Sequence, residues 1–376
     1  MKFISPHLFS KIAKSKGLPN ESISKAIAYS NKLYSQQLPV IYSLKHLSLL
    51  TRIDYGYLRR IIKRNEDPYS IFQMKKRRGG IRNICIPTPK IAQVQKFISK
   101  SILSKVLPNS SSYAYHPGSK IVDCCQQHCG SQWLIKVDIQ QFFENISELM
   151  VFKIFNDLGY TRLLSLEFAR LCTRKVERSV NSDYWKVWKR DNYLVIPHYS
   201  SRFLGSLPQG ASTSPFISNL VCKKMDIQFN NVMGQKGIVY TRYADDLTFS
   251  SSTEIKNRED AKKIVSEIYG ILFSFGFRPK TAKTKIIPPG AKKIVLGLNV
   301  EGSEPRLTKE FKYKVEKHLH CIEKYGLLEY STYLKFRNPI SFRNHLSGLI
   351  NYALMVEAGT AGKWKEQLNL ISVIGK

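Results

Sequence analysis

Residues 238–249, which read IVYTRYADDLTF, decide the fold of this chain. β-branched and aromatic residues lie on both sides of the acidic pair Asp245-Asp246, and this pattern predicts two strands joined by a hairpin turn. Two adjacent carboxylates in an apolar hairpin repel each other, so placing them there costs free energy. A divalent cation, which takes oxygen ligands, removes that cost. The hairpin therefore predicts a metal site at its turn.

A third acid stands at the end of another predicted strand. Residues 133–138 read WLIKVD, a short apolar run that ends at Asp138. A lone acid in such a place is commonly a turn former. Three carboxylates brought together can instead hold a pair of metal ions, which activates an attacking hydroxyl and stabilises the leaving oxygen of an in-line displacement. We therefore predict that the catalytic residues are Asp138, Asp245 and Asp246.

The charge of the chain favours a polyanionic partner. Its 376 residues include 59 Lys and Arg against 28 Asp and Glu, a formal net charge of +31, which suits nucleic acid or an acidic membrane surface. The membrane alternative is weaker, because no run approaches the roughly 18 apolar residues that span a bilayer. Residues 1–6 also lack the apolar core of a signal peptide. The odd count of seven cysteines favours reduced thiols and a cytoplasmic protein.

One cluster of cysteine and histidine has two interpretations. Cys124, Cys125, His128 and Cys129 are residue types that ligate zinc. The cluster lacks a second, distant pair of such residues at ligand spacing, and cysteines are also common as small buried apolar residues. We therefore treat these four residues as a weak candidate metal site, with buried thiols as the alternative.

Helical and strand patterns alternate along the rest of the chain and predict an α+β fold. Residues 75–87 (KKRRGGIRNICIP) predict a hairpin that turns at Gly79-Gly80. Further strands are predicted at 193–196 and 292–300. Apolar spacings of three and four predict helices at 1–50, 89–106, 147–158, 162–176, 212–230, 259–275 and 309–325. In the first of these the clearest apolar run is Leu38, Ile41, Leu44, Leu47 and Leu50.

Four segments together resemble the reverse transcriptases. Tyr243-Ala244-Asp245-Asp246 resembles the Tyr-x-Asp-Asp box of that family, and residues 137–143 (VDIQQFF) resemble its first catalytic motif. Residues 207–215 (LPQGASTSP) match its template- and nucleotide-positioning motif, and residues 276–284 (GFRPKTAKT) resemble the fourth. All four occur in the family's order, and the resemblance covers roughly residues 55–300.

The resemblance implies a metal site and a nucleotide site. It implies that two Mg²⁺ ions are held by Asp138, Asp245, Asp246 and the carbonyl of Ile139. It also implies that the bulky Phe143 meets the 2′ position of the incoming sugar and excludes ribonucleotides; the alternative is a core aromatic residue. The remaining residues that the resemblance places at the nucleotide or template are Arg82, Gln209, Gly210, Tyr243 and Lys283. Arg82 would contact the triphosphate, and Lys283 the pyrophosphate leaving group.

The resemblance also implies a right-hand polymerase. We expect an N-terminal helical extension at 1–50, fingers and a ferredoxin-like antiparallel palm at 51–300, and a helical thumb at 301–376. Basic residues on the fingers hairpin and on helix 309–325 would contact the nucleic-acid backbone; the alternative is a solvated basic face. These residues are Lys75, Lys76, Arg78, Lys312 and Lys317.

Within the family the closest resemblance is to the retron type. Its size and the segment 75–87 fit that type, but the Asn-Ala-x-x-His motif keeps only His128, and Val-Thr-Gly is replaced by Val295-Leu296-Gly297. The type implies a cognate structured noncoding RNA, dNTPs as substrates, priming from an internal guanosine 2′-hydroxyl and a multicopy single-stranded DNA product. It also implies a role in defence against phage, with a separately encoded effector protein.

Two alternatives stand beside the retron interpretation. Diversity-generating and abortive-infection reverse transcriptases share the palm, and the second kind can act without a template. The intact Gln209-Gly210 segment favours a templated enzyme. A non-catalytic RNA-binding scaffold with a degenerate polymerase fold is the second alternative, and the three retained acids argue against it.

Overall fold

A computed structural model describes residues 6–75, 79–175 and 205–371 of the chain. Helices and short antiparallel strands alternate, as the α+β prediction requires. In chain order the helices are α1 (Pro6–Ser15), α2 (Asn20–Ser35), α3 (Leu44–Thr51), α4 (Tyr55–Ile62), α5 (Pro89–Ser101), α6 (Ile121–Gln126), α7 (Phe142–Asn145), α8 (Glu148–Asp157), α9 (Arg162–Cys172), α10 (Ser214–Gly234), α11 (Arg258–Ser274), α12 (Lys309–Tyr325), α13 (Leu327–Tyr333), α14 (Pro339–Leu354) and α15 (Ala358–Leu370).

The strands are short and pair antiparallel. In chain order they are β1 (Tyr69–Lys75), β2 (Ile81–Pro87), β3 (Trp133–Asp138), β4 (Arg174–Lys175), β5 (Gly205–Ser206), β6 (Val239–Tyr243), β7 (Asp246–Ser251), β8 (Lys285–Ile287), β9 (Ile294–Val295), β10 (Leu298–Asn299) and β11 (Arg306–Leu307). Single 3₁₀ turns occur at Leu103–Lys105 and Thr281–Lys283.

The chain divides into two compact units. The first unit comprises residues 1–118, 139–228 and 269–279, and the second comprises residues 119–138, 229–268 and 280–376. The first unit therefore holds the β1–β2 hairpin, the pair β4–β5 and most of the helices up to α10. The second unit holds the four-stranded sheet and the C-terminal helices.

The four-stranded sheet is the centre of the second unit. Its strand order is β6-β7-β3-β8, and every neighbouring pair is antiparallel. Beneath it Phe229, Tyr240 and Phe249 pack with ring centroids 4.8 to 5.3 Å apart. Such aromatic contacts add to the free energy of burial, and they come from both strands of the hairpin that carries the paired acids.

A buried ion-pair network organises the first unit. Glu148, at the start of α8, accepts hydrogen bonds from Arg64 at 2.5 Å and from Arg170 at 2.9 Å. The backbone N–H of Gly205 donates to the same carboxylate at 3.1 Å. The two guanidinium groups hold the pKa of Glu148 below its usual value even though burial alone would raise it. Because the charges are paired, their burial is tolerated, and α4, α8, α9 and β5 are tied at one point.

Most of the predicted elements are confirmed, and several match to the residue. The hairpin over 75–87 turns at Gly79 and Gly80, both with φ near +85°, and strand 133–138 and helix 309–325 have the predicted bounds. The helices at 89–106, 147–158, 162–176, 212–230 and 259–275 are present with ends shifted by a few residues. The strand predicted at 193–196 lies outside the described residues.

Two predicted elements are wrong in detail. The apolar run that begins at Leu38 was expected to be helical throughout, but the helix starts only at Leu44, where the Ser43 side chain caps it by accepting a hydrogen bond from the N–H of His46. Segment 292–300 is not one strand. It forms the two short strands β9 and β10, because the chain turns at Leu296 and Gly297, whose φ angles are 47° and 89°.

Two predictions from composition can be set against the structure. All seven cysteines are free thiols, which agrees with the expectation of reduced thiols. Among the described residues no helix is both long enough and apolar enough to cross a membrane.

Candidate active site

The paired acids lie at the tip of the β6–β7 hairpin, as predicted. Tyr243 pairs with Asp246, and Ala244 and Asp245 form the turn between them. Ala244 has φ of 58°, in the left-handed region that few non-glycine residues adopt. The Arg242 guanidinium, which is fully buried, donates a hydrogen bond to the Ala244 carbonyl at 3.3 Å. This contact helps to hold the strained turn that presents Asp245.

Register brings the third acid to the same place. Strands β3 and β7 pair so that Asp138 stands directly opposite Asp246. The backbone carbonyl of Asp138 accepts a hydrogen bond from the N–H of Lys280 at 2.7 Å, and the Lys283 ammonium donates to the Asp138 carboxylate. The structure thus brings together four of the predicted site residues, the three aspartates and Lys283, all within the second unit.

The electrostatics of this group are dominated by crowding of negative charge. Burial, together with the neighbouring carboxylates of Asp246 and Asp138, raises the pKa of Asp245 to about 6, against the opposing effect of Lys283. Burial also raises the pKa of Asp246, against the opposing effect of Lys136 and Lys283. Buried carboxylates that raise each other's pKa are common at functional sites.

Lys136 is a member of this site that the sequence analysis missed. It lies two residues before Asp138 on β3, and its charge acts on Asp246. Its ammonium also donates to the carbonyl of Ile294 at 3.4 Å. Alternation along a strand places residues i and i+2 on the same face, so Lys136 shares a face with Asp138. A lysine inside the apolar run WLIKVD was the sequence signal for this residue.

The donor set fits a hard divalent cation. Three carboxylates offer the oxygen ligands that Mg²⁺ prefers. Burial and neighbouring carboxylates raise the pKa values of Asp245 and Asp246, a cost that bound positive charge would remove. In the described residues no three His, Cys, Asp or Glu side chains lie close enough to form a metal site as they stand. Lys136 and Lys283 oppose the rise in the pKa of Asp246. The described contact of Ile139 is a bridge to Pro279.

The predicted template- and nucleotide-positioning segment packs against the fingers hairpin within the first unit. The N–H of Cys85 on β2 donates to the carbonyl of Gln209 at 2.7 Å. Gly210 follows with φ of 129°, and a Cβ placed there would lie 2.5 Å from the carbonyl oxygen of Cys85. Only glycine permits this approach of two backbones. Packing against β2 therefore explains why position 210 is a glycine, whether or not this residue contacts a nucleotide.

Phe143 lies on α7 in the first unit and is half-buried. Its ring centroid is 5.4 Å from that of Phe142 and 6.4 Å from that of Tyr115. Phe142 is buried and also contacts Phe277, at 5.9 Å. The partial exposure of Phe143 is consistent with the expected contact to a sugar, whereas its neighbour Phe142 is the core aromatic residue.

The basic residues predicted to contact nucleic acid have different surroundings. Lys75 and Arg82 are exposed on the β1–β2 hairpin, and Lys317 is exposed on α12. Lys312 is paired with Glu357 at 2.6 Å within the second unit, so part of its charge is compensated inside the protein. Lys76 and Arg78 lie outside the described residues.

The cluster of Cys124, Cys125, His128 and Cys129 is not a metal site in the structure. The cysteines are thiols, and burial raises the pKa of Cys124 to about 11 and that of Cys125 to about 12. Both ring nitrogens of His128 are taken up by side-chain hydroxyls. Buried thiols, the alternative in the sequence, describe Cys124 and Cys125, whereas Cys129 is partly exposed.

Comparison with known proteins identifies the same region. A protein-family profile described as Reverse transcriptase (RNA-dependent DNA polymerase) matches residues 74–313. That match covers well over half of the chain and includes all four segments that carry the motifs.

Individual relatives extend the match along the chain. Retron Ec86 reverse transcriptase from Escherichia coli is 27% identical over 359 residues, which cover 94% of this chain and 95% of that protein. Retron Ec73 reverse transcriptase from the same organism is 26% identical over 83% of this chain and 90% of that protein. Retron Mx162 reverse transcriptase from Myxococcus xanthus is 27% identical over 62% of this chain and 47% of that protein.

Among solved structures, telomerase from Candida albicans in complex with a fragment of telomeric RNA matches 82% of this chain and 64% of that chain. The TM-score is 0.40 and the sequence identity is 13%.

The close approach at Gly210 gives a stability prediction. Gly210→Ala should destabilise the protein by about 2 kcal/mol or more, because the new methyl group would meet the Cys85 carbonyl. The matched control is Gly290→Ala, which has a similarly positive φ of 78° but open space around its Cβ position. Chemical denaturation measures both variants. Equal losses of unfolding free energy would contradict the clash.

The raised pKa of Asp245 gives a pH prediction for the metal-free protein. Because its folded pKa, about 6, exceeds the ordinary 3.8, ionisation destabilises the fold as pH rises through this window, and the cost is complete above the folded pKa. Asp245→Asn removes that cost. The variant should therefore be more stable than the wild type by about 2 kcal/mol near neutral pH.

The control for this measurement is Asp123→Asn, which removes an exposed carboxylate from the same unit. Denaturation with a metal chelator present is recorded from neutral pH down to the ordinary aspartate pKa. The advantage of Asp245→Asn should shrink to nothing at the acid end. An advantage that does not depend on pH would contradict the electrostatic cause.

Proposed function

The chain belongs to the reverse transcriptase family and is an RNA-directed DNA polymerase of the retron type, and we propose that it copies part of a cognate structured noncoding RNA into single-stranded DNA. The single observation that carries the proposal is the register that sets Asp138 opposite Asp246 with Asp245 at the adjoining turn. The match to a retron reverse transcriptase along almost its full length supports the choice of product. The net charge of +31 supports a nucleic-acid partner.

The chemistry we propose is two-metal nucleotidyl transfer. Asp138, Asp245 and Asp246 would hold two Mg²⁺ ions, with the Ile139 carbonyl as a further ligand. When bound, the ions lower the pKa of the attacking hydroxyl and neutralise charge on the leaving pyrophosphate. Lys283, which lies beside Asp138, would neutralise or protonate the pyrophosphate as it leaves.

Other residues would bind the dNTP and the template. Arg82 is proposed to contact the triphosphate, since guanidinium binds phosphate in a bidentate manner. Gln209, Gly210 and Tyr243 are proposed to lie against the nucleotide and template. Phe143 is proposed to exclude the 2′-hydroxyl of ribonucleotides, and its half-buried ring supports that role.

The RNA and the growing duplex would be held by basic surfaces. We propose that residues 51–300 form the fingers and palm, that 301–376 form a helical thumb, and that 1–50 form an N-terminal extension. Lys75, Lys76, Arg78 and the exposed Lys317 would bind phosphates by charge attraction. Lys312 would contribute less, because Glu357 already pairs with it.

The biological setting of the proposal follows from the retron type. Synthesis would start from the 2′-hydroxyl of an internal guanosine in the RNA and give a branched RNA–DNA product. The enzyme would act in the cytoplasm as part of a system that defends against phage, together with a separately encoded effector protein. Phage resistance that is unchanged when the aspartates are replaced would remove the defence role.

Replacing one aspartate tests the catalytic assignment. Asp246→Asn should lower DNA synthesis on a primed RNA by about a hundredfold or more, because one carboxylate ligand is lost. RNA binding should remain, since the phosphate contacts are made by other residues. Primer extension with dNTPs and Mg²⁺ measures DNA synthesis, and a filter-binding assay measures RNA binding.

The control is Asp157→Asn, which makes the same chemical change at an exposed position on α8. It should extend the primer at the wild-type rate. Wild-type extension by Asp246→Asn would refute the carboxylate assignment. No incorporation by the wild type on its own copurified RNA would refute the polymerase function.

Shortening Phe143 tests the selection of the sugar. Phe143→Ala should lower the preference for dNTPs over rNTPs by about tenfold or more, because the bulk near the 2′ position is removed. The ratio of kcat/KM for the two nucleotides is the measurement. Phe273→Ala is the control, since Phe273 is an exposed phenylalanine on α11. An unchanged ratio in Phe143→Ala would show that Phe143 does not select the sugar and only packs against its aromatic neighbours.

A further inference from the structure

His128 is a fully buried histidine that the proposed chemistry does not use. Its Nδ1 lies 2.7 Å from the hydroxyl of Ser250, and its Nε2 lies 2.7 Å from the hydroxyl of Thr241. Both hydroxyls are themselves buried. The imidazole therefore bridges two side chains that have no access to water as an alternative partner.

The two hydroxyls belong to the two strands of the hairpin that carries the paired acids. Thr241 lies on β6, four residues before Asp245, and Ser250 lies on β7, four residues after Asp246. Thus one side chain is bonded to both arms of the hairpin. Thr241 lies two residues, and Ser250 four residues, from the Tyr243–Asp246 pair that closes the turn. A strand rises about 3.4 Å per residue, so the levels of Thr241 and Ser250 lie roughly 7 Å and roughly 14 Å along the strands from the level of Asp246. His128 is therefore set back from the tip of the hairpin.

His128 is itself fixed to the rest of the second unit. Its N–H donates to the carbonyl of Cys125 at 3.0 Å, and its own carbonyl accepts from the Ser131 hydroxyl at 2.9 Å. The N–H of Gln132 donates to the carbonyl of Ser251, also at 3.0 Å. Since β3 begins at Trp133, the histidine ties the hairpin to the segment that leads directly into the strand of Asp138.

The protonation of the imidazole matches these partners. A neutral imidazole has one N–H donor and one acceptor nitrogen, and a hydroxyl can serve either of them. Burial, with a smaller contribution from the charge of Lys136, lowers the pKa of His128 to about 3. The ring is thus neutral at physiological pH, and each nitrogen has a hydroxyl of matching role in either tautomer.

The position of β6 explains why such a tie matters. In the described sheet β6 is an edge strand that pairs only with β7. A slip of one residue in that pairing would move each side chain to the opposite face. Backbone pairing on one side, the Arg242 contact to the Ala244 carbonyl and the packing of Tyr240 already hold β6, and a side-chain bond from a third element adds a constraint on register.

We propose that His128 is a positioning residue, which bonds Thr241 and Ser250 so that the β6–β7 hairpin presents Asp245 and Asp246 opposite Asp138. The inference rests on the proposed function, because it assigns His128 to the geometry of the same carboxylates. We expect His128 to affect the catalytic rate and not the binding of substrate, since its side chain is buried and cannot reach a substrate.

The test uses three variants of the full chain. His128→Leu fills the space without either hydrogen bond. It should lower kcat of primer extension by about tenfold to a hundredfold. The KM for dNTP and the KM for RNA should each stay within roughly twofold of the wild-type value. It should also raise the Mg²⁺ concentration needed for half-maximal rate. His128→Asn keeps a polar group where Nδ1 meets Ser250, and His128→Gln keeps one where Nε2 meets Thr241.

Rescue distinguishes positioning from mere filling of space. The Asn and Gln variants should each recover part of kcat, and Thr241→Val should remove the recovery seen in the Gln variant without affecting that in the Asn variant. Thermal unfolding shows whether His128→Leu folds. If it does not, kcat is measured for Thr241→Val and Ser250→Ala instead, and each should show the same fall. His345→Leu is the control, because His345 is exposed on α14.

The outcomes separate the inference from the proposed function. A wild type that does not extend a primed RNA contradicts the function. A wild type that extends, with His128→Leu at wild-type kcat and unchanged Mg²⁺ dependence, overturns the role of His128 alone. A fall in kcat in His128→Leu that neither His128→Asn nor His128→Gln recovers in part also overturns it, since loss of packing would then account for the fall.

Discussion

Repulsion among three crowded carboxylates, one buried and two partly buried, is the constraint on which the second unit depends. Asp138 and Asp246 face each other across two strands, and Asp245 adjoins them at the turn. Burial and like charge raise the pKa of both Asp245 and Asp246. A fold would relax such a group by letting the turn move. Here the sheet, the aromatic layer beneath the hairpin and the buried Arg242 hold it in place, and two lysines offset part of the charge.

The structure meets this constraint with contacts on each side of the hairpin. Tyr240 and Phe249 pack on Phe229 and fix the inner face of the sheet. Register with β3 sets the distance between the opposed acids, and His128 bonds both arms away from the tip. One of the lysines that offset the charge, Lys283, is also the residue proposed to meet the pyrophosphate. Stability and the proposed function therefore pull in opposite directions at this one place, as is common where charge is concentrated for catalysis.

The sequence predicted the local features well, because they depend on neighbouring residues. The hairpin of the acids and the Gly79-Gly80 turn follow from alternation and turn chemistry over a few positions. The pairing of distant segments could not be predicted from local pattern. Asp138 and Asp246 are more than a hundred positions apart in the sequence, and only the resemblance to the family's motifs suggested that they lie together. His128 was read as a weak metal ligand because sequence shows residue types and not partners; its partners Thr241 and Ser250 lie far along the chain. The pairing of Lys312 with Glu357 could not be foreseen for the same reason, and Lys312 stays a predicted phosphate contact whose charge is partly compensated.

The central claim is that the three aspartates serve templated DNA synthesis. It is tested most directly by offering the purified enzyme one dNTP at a time on a primed RNA whose next template base is varied. Our account predicts that only the complementary dNTP is added at each template base, in a Mg²⁺-dependent reaction. Addition that ignores the template base, or no addition on any RNA including the copurified one, would contradict it.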